Sequence, residues 1–208
     1  MHTSNILITL AFITTLTGCA QTPTTASNPS DPDVLLGRAE ALQKQGLPIP
    51  ALYLTQQAIQ HYQQQHNLRN LGYAYLSYAA LIRSDQLAAA ATFKIRRSGL
   101  DPVRGITLEN RQQQAHQLEQ QALQTLLQAE QQYLASNQFD KLSNVYYNQA
   151  LAYQRLQQPQ QVCIAYDNAL AAHHTNLRQN PTASPQTGAS GQSVDAQLRQ
   201  LQAQQGCL

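Results

Sequence analysis

Residues 143–176 read SNVYYNQALAYQRLQQPQQVCIAYDNALAAHHTN. Tyr146, Ala150 and Tyr153 recur at three- and four-residue spacing. After the polar Gln157-Gln158 break, Val162, Tyr166, Ala169 and Leu170 take up the same spacing. That period sets side chains on one face of an α-helix, so the segment predicts a pair of amphipathic helices. Small residues on facing helices, such as Ala150 and Ala169, allow close packing, and an aromatic one turn later fills the gap toward a neighbour.

The same texture extends outward from about Pro32 to Leu177, where Ala, Leu and Gln dominate and no strand pattern occurs. Asp31-Pro32-Asp33 predicts a helix start, with Asp31 as N-cap and Pro32 in the first helical position. Gly46-Leu47-Pro48-Ile49-Pro50 breaks the pattern. A second helix is expected over Ala51–Gln65, a third over Leu68–Arg83, and a fourth from about Asp85 to Ser98, ended by Gly99-Leu100-Asp101-Pro102. The stretch Arg104–Leu142 is expected to contain one long Gln-rich helix, with Ala115, Leu118, Ala122, Leu126, Ala129 and Tyr133 on a stripe, and then a turn at 136–140. A last helix is expected over Val194–Gln204, after a polar linker at 179–193.

Three windows share a spacing. Ala39 and Ala51 in the first, Ser77 and Ala89 in the second and Ala150 and Val162 in the third are each twelve apart, with Phe93 and Tyr166 four further on in the second and third, and Ala58 and Ala169 seven further on in the first and third. Helix pairs repeating at about 34 residues signal a solenoid. With Tyr146, Ala150, Tyr153, Tyr166, Ala169 and Leu170 in place, the chain resembles the tetratricopeptide repeat family. The resemblance implies an all-α fold of antiparallel helix-pair repeats, a short solenoid over 32–178 closed by a capping helix at 194–208. An irregular helical bundle is the alternative. The resemblance also implies a peptide groove on the first helices of successive pairs, offered here by Leu36, Glu40, Gln43, Lys44, Tyr78, Tyr147, Leu151, Gln154 and Arg155. Inter-repeat packing is the alternative fate of its tyrosines.

At the start, Ile6–Leu16 is an apolar run suited to a signal-peptide core, too short for a mature membrane span. Leu16-Thr17-Gly18-Cys19 then resembles the lipobox of bacterial lipoproteins, although no Lys or Arg precedes the core. The resemblance implies cleavage after residue 18, lipidation of Cys19 and, with Ala20 next, sorting to the outer membrane, with the chain facing the periplasm. Residues 21–32 carry three prolines and no apolar side chain larger than Ala, and 19–31 reads as a flexible tether.

Lipidation of Cys19 would leave Cys163 and Cys207, an even pair for an oxidising compartment. A disulfide between them would tie the last helix to the preceding pair, contributing roughly 3–4 kcal/mol in the chain-entropy model. A buried Cys163 with a free Cys207 is the alternative. His173 and His174 are adjacent, point to different sides of a helix and are expected to be exposed, so no metal site is expected. Lys94, Arg96, Arg97 and Arg104 form a basic cluster that suits a helix C-terminus. Glu109, Glu119 and Glu130 are expected on a polar helix side, and no nucleophile turn or phosphate loop occurs, so neither an enzyme nor a cofactor is expected. A net charge of +2 with 12% charged residues gives no footprint for nucleic acid. The function expected is a protein-docking scaffold for other envelope proteins, as in pilus, secretion or envelope assembly. The alternative is a lipoprotein that binds a small ligand or the cell wall.

Overall fold

The computed structural model describes residues 30–91, 106–107, 110–181 and 192–207, without the side chains of 90 and 91. Among these residues all regular structure is helical: α1 Pro32–Lys44, α2 Pro48–Gln64, α3 Leu68–Arg83, α4 Asp85–Ala91, α5 Arg111–Ala135, α6 Phe139–Arg155, α7 Pro159–Gln179 and α8 Val194–Gln204. Asp31 caps α1 as expected, its Oδ1 accepting from the Asp33 amide at 2.9 Å. α2 begins three residues earlier than the sequence suggested, because Pro48 serves as its first residue rather than as a breaker.

Most of the helices are joined by one repeated device. α1, α2, α5, α6 and α8 all end with a residue of positive φ: Gly46, His66, Asn137, Gln157 and Gly206. In each case the next amide donates back to a carbonyl five residues earlier: Leu47 to Leu42, Asn67 to Tyr62, Gln138 to Tyr133, Gln158 to Tyr153 and Cys207 to Gln202, all at 2.9–3.0 Å. These are Schellman turns, which satisfy the carbonyls left over at a helix end and reverse the chain within three residues. Neighbouring helices are therefore forced antiparallel.

Packing runs along the chain. α1 lies on α2, α2 on α3, α5 on α6, α6 on α7 and α7 on α8. The second pair departs from expectation. α3 packs against α5, not α4, which has only seven residues and touches α2 and α3 lightly. The reason is Gly72: a Cβ there would stand 2.6 Å from Leu126 Cγ, so only glycine lets α3 approach α5 this closely.

The expected small position of the second window shifts as well. Ser77 is only half-buried, whereas Ala79 is fully covered. Buried Leu71, Gly72, Tyr75 and Ala79 correspond in order and spacing to buried Leu142, Ser143, Tyr146 and Ala150. Where Gly72 admits Leu126, Ser143 instead donates its hydroxyl to the Ala169 carbonyl at 3.0 Å. Three buried clusters result: Leu35, Ile59, Tyr62, Tyr75, Leu126 and Val145 anchor one, Tyr146, Val162, Tyr166 and Leu170 a second, and Leu52, Ala79, Leu81, Ile82 and Leu87 a third. The stripe expected on the long helix is the buried one, with Ala115, Ala122, Leu126 and Ala129 inside. The helix itself spans Arg111–Ala135, within the stretch expected to contain it. Cys163 and Cys207 stand as a disulfide pair with Cα atoms 5.3 Å apart, closing a loop of 44 residues.

Candidate functional site

α1, α3 and α6 bring a polar row together. Glu40 of α1 accepts from the Tyr73 hydroxyl of α3 at 2.7 Å. Tyr147 of α6 bears electrostatically on both Tyr73 and Tyr166, and its ring centroid is 6.4 Å from that of Tyr166. At the end of α6, Arg155 donates from Nη1 to the Leu76 carbonyl of α3. Burial, with Glu40 second, pushes the Tyr73 phenol up to about 12. Burial and then Tyr147 push Tyr166 up to about 12 as well. The row thus sets the Tyr73 and Tyr147 rings between one carboxylate and one guanidinium, with the Tyr73 hydroxyl already donating to Glu40.

Of the groove residues expected from the sequence, Gln154 and Lys44 are exposed, and Glu40, Gln43, Tyr147 and Leu151 are half-buried. Three others are corrected. Leu36 is 5% exposed and belongs to the core, because α1 turns that face onto α2 and α3. Tyr78 is half-buried and packs against two apolar clusters, the fate weighed as packing. Arg155 is held by the Leu76 carbonyl and drawn toward Glu119; burial lowers its pKa, opposed by that carboxylate. Its guanidinium thus ties α6 to α3 before it meets any ligand. Tyr73 was missed, since its role depends on Glu40, which arrives from 33 residues earlier in the chain.

The acidic side expected on α5 is not a solvated face. Glu119 is 0% exposed and accepts two bonds from Arg83, Nε to Oε1 at 2.9 Å and Nη2 to Oε2 at 2.6 Å. Glu130 is half-buried and accepts from Tyr146 at 3.1 Å and from Gln149 at 2.7 Å, so both glutamates hold α5 to neighbouring helices. Glu109 lies outside the described residues, as do Cys19 with its lipobox and the basic cluster of Lys94, Arg96, Arg97 and Arg104. His173 is buried rather than exposed, and burial, with His174 second, lowers its pKa. His174 is half-buried and bonded to Asp195 at 2.6 Å. Helix α8 covers this side of α7, which the sequence around the histidines does not reveal. No group of three potential metal ligands occurs among the described residues, nor any helix long and apolar enough to cross a membrane.

Away from this row, a concavity of about 460 Å³ opens where α1 begins, lined by Asp31, Asp33, His61, Tyr62, Gln65 and Asn67 among others. Its acceptor Asp33 is already engaged by the Tyr62 hydroxyl at 2.5 Å and by Asn70 at 3.1 Å. Burial and Asp33 raise the Tyr62 pKa strongly. No family model, curated protein or solved structure matches the chain.

The buried phenols predict an alkaline limit. Tyr73, Tyr146 and Tyr166 all rise from 10.0 to about 12 on folding. A folded-state pKa above the unfolded one contributes stability below pH 10, lost as pH climbs from 10 to 12. Urea midpoints are expected to be flat from neutrality to pH 9 and to fall steeply by pH 11, less so in Tyr73→Phe; an unchanged slope in that variant contradicts the assignment.

Proposed function

We propose that this chain is an outer-membrane-anchored periplasmic scaffold, a short solenoid resembling tetratricopeptide repeats that docks other envelope proteins on the face of α1, α3 and α6. The observation that carries the reading is the row Glu40–Tyr73–Tyr147, contributed by the first helix of three successive pairs. Aromatic and hydrogen-bonding side chains in a fixed row suit an extended peptide, whose backbone alternates donors and acceptors. The matching Leu71–Ala79 and Leu142–Ala150 patterns and the shared turns support a repeat origin for that face. The anchor rests on the lipobox resemblance at Cys19.

The test places a photo-crosslinking amino acid at exposed Gln154 in one full-length protein and at exposed Gln120, on α5, in another. One envelope protein captured from Gln154, absent from Gln120 and lost when Tyr147→Ala is added, is the expected result. Equal capture from both positions, or none from Gln154, would discard the docking groove. In the same strains Cys19→Ala is expected to move the protein from the membrane to the soluble periplasmic fraction, and unchanged membrane association would discard the anchor.

A further inference from the structure

α8 is a weak helix by itself. It has eleven residues, and helices of that length are marginal in water without tertiary support. Only Leu198 and Gln202 are buried, with Val194 and Leu201 partly covered by the cluster of α6 and α7. Its attachments to α7 follow one antiparallel order. Asp195 meets His174 at 2.6 Å, Leu198 joins the cluster containing Leu170, Gln202 donates to Asp167 Oδ1 at 2.7 Å, and Cys207 meets Cys163. On α7 these partners, Cys163, Asp167, Leu170 and His174, recur at three- and four-residue spacing and so share one face.

The polar ties are partly open to water. The side chains of His174 and Asp195 are 41% and 35% exposed, and Arg199, which bonds Asp195 from the same helix, is 57% exposed. Pairs of that kind contribute little. The covalent tie sits at the far end, directly after the turn at Gly206, and both of its cysteines are half-buried rather than enclosed in the core.

We infer that α8 is a redox-released strap. The Cys163–Cys207 disulfide holds it along α7, and reduction frees the helix and uncovers the face from Cys163 to His174. The inference goes beyond the docking groove and does not depend on it. The chemistry is thiol exchange with a dithiol reductant. Its thiolate attacks Cys207 Sγ, a mixed disulfide forms, and Cys163 departs as a thiolate that takes a proton. The second reductant thiol then displaces Cys207, which is protonated in turn, and the reductant leaves as a disulfide having supplied two electrons and two protons.

Hydrogen exchange on the full-length protein, oxidised and then reduced with dithiothreitol, tests this. Peptides within 194–204 are expected to exchange at least about tenfold faster after reduction, while those of α1 to α6 keep their rates. Cys207→Ser is expected to show the same fast α8 without reductant; if that variant fails to fold, the reduced native chain decides alone. Unchanged protection of α8 once both thiols are alkylatable would overturn the strap. So would loss of protection throughout the chain, because the disulfide would then hold the whole fold, and so would a bond that dithiothreitol leaves intact in the folded protein.

Discussion

Arg83→Ala is expected to lower unfolding free energy by about 3–5 kcal/mol, the scale seen when one partner of a buried ion pair is removed. The size follows from which partner stays behind. Arg83 has 35% of its side chain exposed and would hydrate if left alone, but Glu119 is at 0% and would keep a charge with no water to replace the two lost bonds. Arg111 donates to the backbone carbonyls of Arg83 and Ser84 at the end of α3, and the variant keeps both acceptors, so the loss falls on the Glu119 pair. Replacing both partners with apolar residues, Arg83→Met with Glu119→Leu, is expected to recover most of the loss. Urea unfolding of the three proteins checks this. A single variant within about 0.5 kcal/mol of the parent would show that the pair does not bind α3 to α5.

Gly72→Val is expected to cost about 3 kcal/mol, the upper end of the range for overpacking. The new Cβ would meet Leu126 Cγ at 2.6 Å and Cδ2 at 2.8 Å, with the Ala122 carbonyl at 3.4 Å behind them. Leu126 has no exposed surface into which it can swing, and the contact is at its branch point rather than at a flexible tip. Gly72→Ala gains about 1 kcal/mol of helix propensity and meets the same obstruction, so its net loss is smaller. Leu126→Ala leaves a cavity costing about 2–5 kcal/mol alone. Combined with Gly72→Val, that space is filled, and the double variant is expected to fall short of the summed costs by more than about 1 kcal/mol. Strict additivity would mean that α3 and α5 do not meet at this point.

How much was legible depended on whether a signal was local. Helix α3 over 68–83 and α8 over 194–204 agree with the sequence reading to the residue, because the periodicity that marks each helix is local to its own segment. The Cys163–Cys207 pair followed from counting cysteines once the lipobox resemblance had claimed Cys19, and the structure brings the two together. The second window failed by two residues. Ser77 was chosen as its small position although Ala79 lies nearby, and the partner of α3 was sought in the adjoining helix although it is α5. Small residues are common in an Ala- and Gln-rich chain, and spacing alone does not rank them. Three of the αL turn positions carry His66, Asn137 and Gln157 instead of glycine, so no glycine signal marks those turns.

The candidate site shows the same division. Glu40, Tyr147 and Gln154 entered as groove positions through the resemblance to tetratricopeptide repeats. Tyr73 gained its role only when Glu40 came across from α1, and Arg155 lost part of its expected role when the Leu76 carbonyl took its guanidinium. Glu119 reads as a polar residue on a Gln-rich helix until Arg83 arrives from 36 residues away. From the sequence by itself came the all-helical class, most helix limits, the antiparallel pairing at short turns and the cysteine count. These rest on the backbone's own hydrogen bonds and on a hydrophobic period that each helix carries internally. Tertiary structure alone decided that α5 serves α3 and that Glu119 and His173 are interior. Each of these depends on which face of one helix meets which face of another, and that is settled by steric fit and by the cost of burying a charge without its partner.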